Sequence, residues 1–227
     1  MRVIAGSARS LPLRSVEGMG TRPTTDRIKE TLFNMIADRI GGCRFLDLFA
    51  GSGAIGIEAL SRGAKSAAFV EKDRRALSVI RQNLSFTHLS GGGRVIASDC
   101  VRAIAMLDHE QPFDIIFMDP PYDKGLERSV LEAISPTSVA DEKTLIIVEA
   151  SLDTDFSYLD ELGFTLVREK RYKTNKHVFL SRSPNDAQHH FCMGPTTCPS
   201  PGGIMLLRSM INAEQSEGAK PYKRKQS

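Results

Sequence analysis

From Phe45 to Val148 the chain alternates short apolar runs with stretches of helical periodicity, and that alternation leaves few architectures open. The apolar runs are Phe45–Phe49, Ala67–Val70, Val95–Ala97, Ile115–Met118 and Thr144–Val148. None has a polar face, so they read as strands of a sheet covered on both sides. Helices are predicted between them, over Ala54–Arg62, Arg74–Leu84, Val101–Leu107 and Leu126–Ile134. Strands that return to one sheet through helices run parallel. Two more extended runs, Phe164–Tyr172 and His177–Arg182, are separated only by Lys173-Thr174-Asn175-Lys176. That spacing predicts a hairpin and an antiparallel end to the sheet. The reading is a Rossmann-like α/β fold, a mostly parallel seven-stranded sheet with a C-terminal antiparallel hairpin and helices on both faces.

Ahead of the sheet, "TRPTTDRIKETLFNMIADRIGG" carries helix punctuation. Thr24 or Thr25 can cap the N-terminus, and Asp26 suits the first turn. Ile28, Leu32, Met35, Ile36 and Ile40 fall on one face, and Gly41-Gly42 ends the helix. Residues 2–16 read as a small extended arm or hairpin. Beyond Ser183 the periodicity stops, and Pro184, Pro195, Pro199, Pro201, Gly202 and Gly203 break regular structure. The expected organisation is a basic N-terminal arm over 1–20, one α/β domain over 21–182, and an irregular basic tail over 183–227.

At 227 residues, 41% hydrophobic and 25% charged, the chain has the makeup of a globular protein with one sizeable core. No apolar run is long enough to cross a bilayer, and MRVIAGSARS lacks the apolar stretch of a signal peptide. A cytoplasmic location and no membrane partner are the expectations. Cys43, Cys100, Cys192 and Cys198 form no CxxC pair and read as free thiols. Cys192 and Cys198 lie near His189 and His190, but the spacing fits no zinc finger, and no metal is expected. Net charge is only +3, yet the bases are clustered. Arg2, Arg9, Arg14, Arg22, Arg27 and Lys29 crowd the start, and Arg168, Lys170, Arg171, Lys173 and Lys176 crowd the predicted hairpin. Such clusters suit either a polyanionic partner or solvated surface.

The first strand runs into "DLFAGSGAIGIEAL", which contains Gly51-x-Gly53-x-x-Gly56 in strand–loop–helix context. Glu71 ends the second strand, where an acid can hold a ribose. A nicotinamide dehydrogenase and an S-adenosylmethionine enzyme would both use this arrangement. Asp47 inside the first strand, Asp99 after the third and Asp119-Pro120-Pro121-Tyr122 after the fourth favour the second, because hydride transfer has no use for the last group. Asp47 can instead bond its own loop, and Asp99 can cap the next helix. The histidines His88, His109 and His177 form no triad with a serine or cysteine and receive no role.

Taken together, "RPTTDRIKETLFN", "FLDLFAGSGAIGIEAL", "FVEKD", "DPPY" and the "REKRYKTNKHVFL" hairpin resemble the bacterial 16S rRNA guanine-N2 methyltransferase D family, over roughly residues 2–182. These are class I methyltransferases. The stretch "AGSARSLPLRSV" departs from the family's basic, glycine-bearing hairpin, and the tail after Ser183 matches nothing in it. The resemblance implies S-adenosylmethionine as cofactor, held by Asp47, Gly51, Gly53, Glu71 and Asp99. It implies ribosomal RNA or the small ribosomal subunit as partner, with Arg22, Arg27 and Lys173 on the RNA, and a monomeric protein. It also implies that Asp119 and the Pro120 carbonyl accept hydrogen bonds from a base amine, with Pro121 stiffening the turn and Tyr122 stacking on the base. Adenine N6 is chemically as suitable an acceptor of the methyl group as guanine N2. A nucleotide-binding module without catalysis would use Gly51–Gly56 and Glu71 alone.

Overall fold

The computed structural model describes residues 1–16, 26–121 and 124–183, all within one unit spanning Met1–Gln188. In chain order the elements are α1 (Asp26–Met35), α2 (Ala37–Ile40), β1 (Arg44–Leu48), α3 (Ala54–Ser61), β2 (Ser66–Glu71), α4 (Arg74–Phe86), β3 (Gly93–Ala97), α5 (Cys100–Leu107), β4 (Ile115–Met118), α6 (Leu126–Ile134), β5 (Leu145–Ser151), β6 (Phe164–Arg171) and β7 (Asn175–Arg182). The seven strands form one sheet in the order β3-β2-β1-β4-β5-β7-β6. The first five are mutually parallel, and β7 runs antiparallel to both β5 and β6. The C-terminal hairpin therefore places its second strand inside the sheet and leaves β6 at the edge.

Strand alternation sends successive side chains to opposite faces. Phe45, Phe117, Ile147 and Phe179 pack with Leu32 and Phe33 of α1, Ile57 of α3 and Ile80 of α4. Leu46, Leu48, Ile116, Met118, Ile146 and Val148 pack on the other face with Ala103 and Ile104 of α5 and Val130 and Leu131 of α6. The central strands are apolar on both sides because both sides are covered, as their sequence demands.

Three details differ from the sequence reading. The helix expected to run through to Ile40 breaks at Ile36, which leaves helical geometry at φ −118° and ψ 16°. The Arg39 amide then reaches the Ile36 carbonyl in a tighter turn, and Ile36 and Ile40 both stay buried. Strand β5 continues past Val148 to Ser151, because β7 supplies ladder partners for Glu149, Ala150 and Ser151. The arm is a hairpin bridged at Arg2 and Pro12, and it does not stand free. Val3, Ala8 and Leu13 are buried in the first core, so the arm is tertiary structure. The expected caps Thr24 and Thr25, and the tail from Pro184, lie outside the described residues.

Candidate active site

The strand order reverses between β1 and β4, and in open α/β sheets ligands bind beyond the strand ends at that point. Leu48 is in register with Met118, so the loop leaving β1 and the Asp119 turn leaving β4 emerge side by side.

The loop after β1 is a tight turn. Phe49, Gly51 and Gly53 all have positive φ, at 62°, 55° and 79°, and the Gly53 amide bonds the Ala50 carbonyl at 2.7 Å. Glycine suits that region because it has no Cβ. Gly56 answers a different need: a Cβ there would lie 2.3 Å from the Phe69 ring, so α3 could not approach β2 so closely. The buried Asp47 carboxylate accepts from the Gly56 amide at 2.9 Å, and burial, against that bond, pushes its pKa up to about 7. Asp47 thus takes the loop-bonding role that its position in the strand allowed.

Glu71 closes the loop from β2. One carboxylate oxygen accepts from the Gly51 amide at 2.9 Å, and the other accepts from Lys72 and Asp73 at 2.7 and 2.8 Å. Each oxygen has two acceptor sites, so the one on Gly51 retains capacity for a hydroxyl donor. Asp99 is exposed and caps α5, accepting from the Arg102 amide at 3.0 Å. Beside it the buried Ser98 hydroxyl oxygen has no hydrogen-bond partner among the described residues. Asn83, which the sequence reading passed over, donates to the Ser52 carbonyl at 2.9 Å, and its amide also pairs with both backbone groups of Arg14. It ties the glycine loop to the end of the arm.

On the β4 side Asp119 is half-buried, Pro120 buried and Pro121 exposed. Burial holds the Asp119 pKa well above the usual carboxylate range, and Glu149, Asp47 and Glu127 add like-charge pressure in that order. Glu149 and Glu127 were not among the sequence candidates. Glu149 had a readable signal: it stands one residue past Val148, as Asp119 stands one past Met118, and those two residues are in register.

Of the sequence-read RNA contacts, Arg27 and Lys173 are exposed, and Arg22 and Tyr122 lie outside the described residues, as do His189, His190, Cys192 and Cys198. Two members of the basic clusters are corrected. Lys29 is fully buried against Glu58, and Lys176 is buried with its amine on the Thr154 carbonyl at 2.9 Å. Neither side chain faces a polyanion. No helix among the described residues is long and apolar enough to cross a membrane.

The arrangement offers a backbone-lined loop, an acid at the neighbouring strand end and an unpartnered buried hydroxyl, a donor and acceptor set that fits a nucleoside-bearing cofactor. Against known proteins, the family described as conserved hypothetical protein 95 matches residues 1–181. Ribosomal RNA small subunit methyltransferase D of Escherichia coli (strain K12) is 36% identical over 170 residues, covering 75% of this chain and 84% of its own. The protein of the same name from Haemophilus influenzae (strain ATCC 51907 / DSM 11121 / KW20 / Rd) is 34% identical, covering 75% of this chain and 88% of its own. Among solved structures, yhhF from Escherichia coli superposes with a TM-score of 0.69 at 34% identity, covering 81% of this chain and 98% of that one.

Proposed function

The chain belongs to the conserved hypothetical protein 95 family, with the small-subunit ribosomal RNA methyltransferases D, and from that premise we propose that it transfers a methyl group from S-adenosylmethionine to the exocyclic N2 amine of a guanine in small-subunit ribosomal RNA. The observation that carries the reading is the register of Leu48 with Met118, which brings the Gly51–Gly53 loop beside Asp119 and Pro120.

When bound, S-adenosylmethionine supplies an electrophilic methyl group on a sulfonium. Gly51 and Gly53 would hold it through backbone, with no side chain in the way. Glu71 would take its ribose through the acceptor capacity left on the oxygen that holds Gly51. Asp99 and the Ser98 hydroxyl would face the adenine end. Asp47 acts one step removed, by fixing the turn through Gly56.

A guanine N2 amine is a weak nucleophile because its lone pair is delocalised into the ring. Asp119 and the Pro120 carbonyl would accept its two hydrogens, favour a pyramidal nitrogen and stabilise the positive charge that develops there. Prolines hold that carbonyl with little freedom, so the acceptors need little reorganisation. Tyr122 would stack on the extruded base. Arg22, Arg27 and Lys173 would position phosphates. A ribosomal RNA substrate suits a cytoplasmic protein acting as a monomer.

The test is reaction with labelled methyl donor and unmodified small-subunit RNA, presented free and as assembled subunits, followed by nucleoside mass spectrometry. N2-methylguanosine is the expected product. N6-methyladenosine in its place would overturn the base assignment and leave the cofactor site standing. Donor binding without any methylated nucleoside would favour a non-catalytic module.

A further inference from the structure

The Asp119 side of the site has a layer behind it. Phe117 and Ile147 face the first core, so two residues further on Asp119 and Glu149 share that face. The register of Met118 with Val148 sets these two carboxylates side by side, Asp119 just past the end of β4 and Glu149 within β5. Glu149 in turn pairs with His177 across the β5–β7 ladder. His177 is fully buried, edge-on to Phe117 with centroids 6.3 Å apart. One row of side chains thus runs across three strands: Asp119, Glu149, His177.

Hydrogen bonds tie this row to the hairpin. His177 Nε2 lies 3.1 Å from Glu149 Oε2, and the Tyr172 hydroxyl lies 3.3 Å from His177 Nδ1. The Asn175 amide nitrogen donates to Glu149 Oε1, while Asn175 Oδ1 has no partner among the described residues. A consistent assignment has Tyr172 donating to Nδ1, and Nε2–H and Asn175 both donating to Glu149. Among the described residues, the titratable groups pressing on Asp119 are Glu149 from β5, Asp47 from β1 and Glu127 from α6, with His177 and Tyr172 of the hairpin bonded behind Glu149.

We propose that Glu149, hydrogen-bonded by His177 and Asn175, is a positioning residue that equips Asp119 to take the proton released by the methylated amine. This rests on the reading of Asp119 as the amine acceptor. In the step, the amine nitrogen forms a bond to the methyl carbon as the sulfur–carbon bond breaks and its electron pair stays on sulfur. The nitrogen, now cationic, gives one proton to a carboxylate oxygen of Asp119, which later releases it to water. An ordinary aspartate is a feeble base for that task, and a base works best when its pKa lies near the working pH. A neighbouring carboxylate moves Asp119 in that direction, because two adjacent carboxylates resist being ionised together.

The first measurement needs neither RNA nor methyl donor. Aspartate side-chain carboxyls are labelled with ¹³C in the full chain and titrated, with Asp119→Asn identifying the relevant signal. In Glu149→Gln, which keeps shape but removes charge, Asp119 should titrate lower by about one pH unit or more. His177→Phe, which removes the bond to Glu149, should move it the same way, and His177→Gln, which keeps an N–H, should move it less. The second measurement is the pH–rate profile of methyl transfer. Its acid limb, where Asp119 gains its charge as pH rises, should move down with the titration in Glu149→Gln, while the plateau falls several-fold. An Asp119 signal that stays put in Glu149→Gln overturns the proposal, as does a titration that moves while the acid limb of an active enzyme does not. A wild-type protein that methylates no RNA sinks the functional reading instead, and the inactive wild type identifies that outcome.

Discussion

Lys29 and Glu58 form an ion pair with both side chains fully buried, Nζ lying 3.2 Å from Oε2. Glu58 does more than balance one charge. Its two oxygens also accept from the Ile4 and Ala5 amides at 2.8 and 3.0 Å and from Arg62 at 2.8 Å. Lys29 donates in addition to the Arg2 carbonyl at 2.6 Å. One carboxylate on α3 thereby fastens α1 and the N-terminal hairpin together. Burial lowers the Lys29 pKa, and the carboxylate works against that shift.

Glu58→Gln should destabilise the fold by about 3–5 kcal/mol, because it leaves a buried ammonium without its counter-charge. Adding Lys29→Met should recover part of the loss, since the uncompensated charge is then gone. Urea unfolding of the two single variants and the double variant supplies the cycle. Strict additivity would mean that the pair is not coupled as its geometry requires.

Asp47 gives a pH-dependent counterpart. Its pKa is raised from 3.8 in the unfolded chain to about 7 in the fold, chiefly by burial. Between those values the folded state holds a proton that the unfolded state has lost, so stability falls as pH rises through this window. Asp47→Asn, with an amide oxygen still available to Gly56, should remove that slope. Relative to wild type it should gain stability between pH 4 and pH 8, on the order of 4 kcal/mol at most. Thermal or urea unfolding across that range is the check, and parallel pH curves for the two proteins would contradict it.

The candidate site was legible where its chemistry sits in one stretch of chain. Gly51–Gly56 and Asp119–Tyr122 are contiguous, and each follows an apolar run short enough to be recognised as a strand. The same holds for Asp99, whose cap of α5 was one of two roles open to it. What escaped depends on pairing over long separations. Glu149 lies past the Val148 end read for β5, and both its place beside Asp119 and its bond to His177 depend on strand register. Lys29 and Lys176 joined the clusters of surface bases because composition cannot say which lysine meets a buried acid. The arm's burial was equally hidden, since Val3, Ala8 and Leu13 are spaced for neither a strand nor a helix, and the arm is fastened to α3 by bonds from the Ile4, Ala5 and Ala8 amides to Glu58 and Ser61.

If Glu71 serves the cofactor and Asp119 the reacting amine, their variants should fail differently. Glu71→Gln should weaken methyl-donor binding by about 1.5–3 kcal/mol, the range for a lost bond to a charged group. Asp119→Ala should leave donor binding nearly intact and cut turnover roughly 10²-fold or more. Calorimetry and single-turnover kinetics on both variants separate the two effects. The Gln substitution is preferred at Glu71 because its one acceptor oxygen keeps part of the bonding to the Gly51, Lys72 and Asp73 amides, all of which alanine would release. Equal losses of binding in the two variants would remove this division of labour.

On the surface proposed to meet RNA, burial decides which bases to change. Arg27, Arg168 and Lys173 are exposed, whereas Lys29 and Lys176 are committed to the interior, and Arg171 is held by Glu169 at 2.6 Å. Replacing Arg27, Arg168 and Lys173 with glutamine should weaken binding to ribosomal RNA. It should also flatten the dependence of log K on log salt by about 0.7–0.9 for each phosphate that is no longer neutralised. Lys176→Gln should instead lower thermal stability, because Thr154 and Glu169 lose their partner, and should leave the salt slope unchanged. Filter binding over a salt series, with melting curves alongside, distinguishes the two sets. A salt slope that is unchanged when all three exposed bases are removed would place the RNA on another face of the protein.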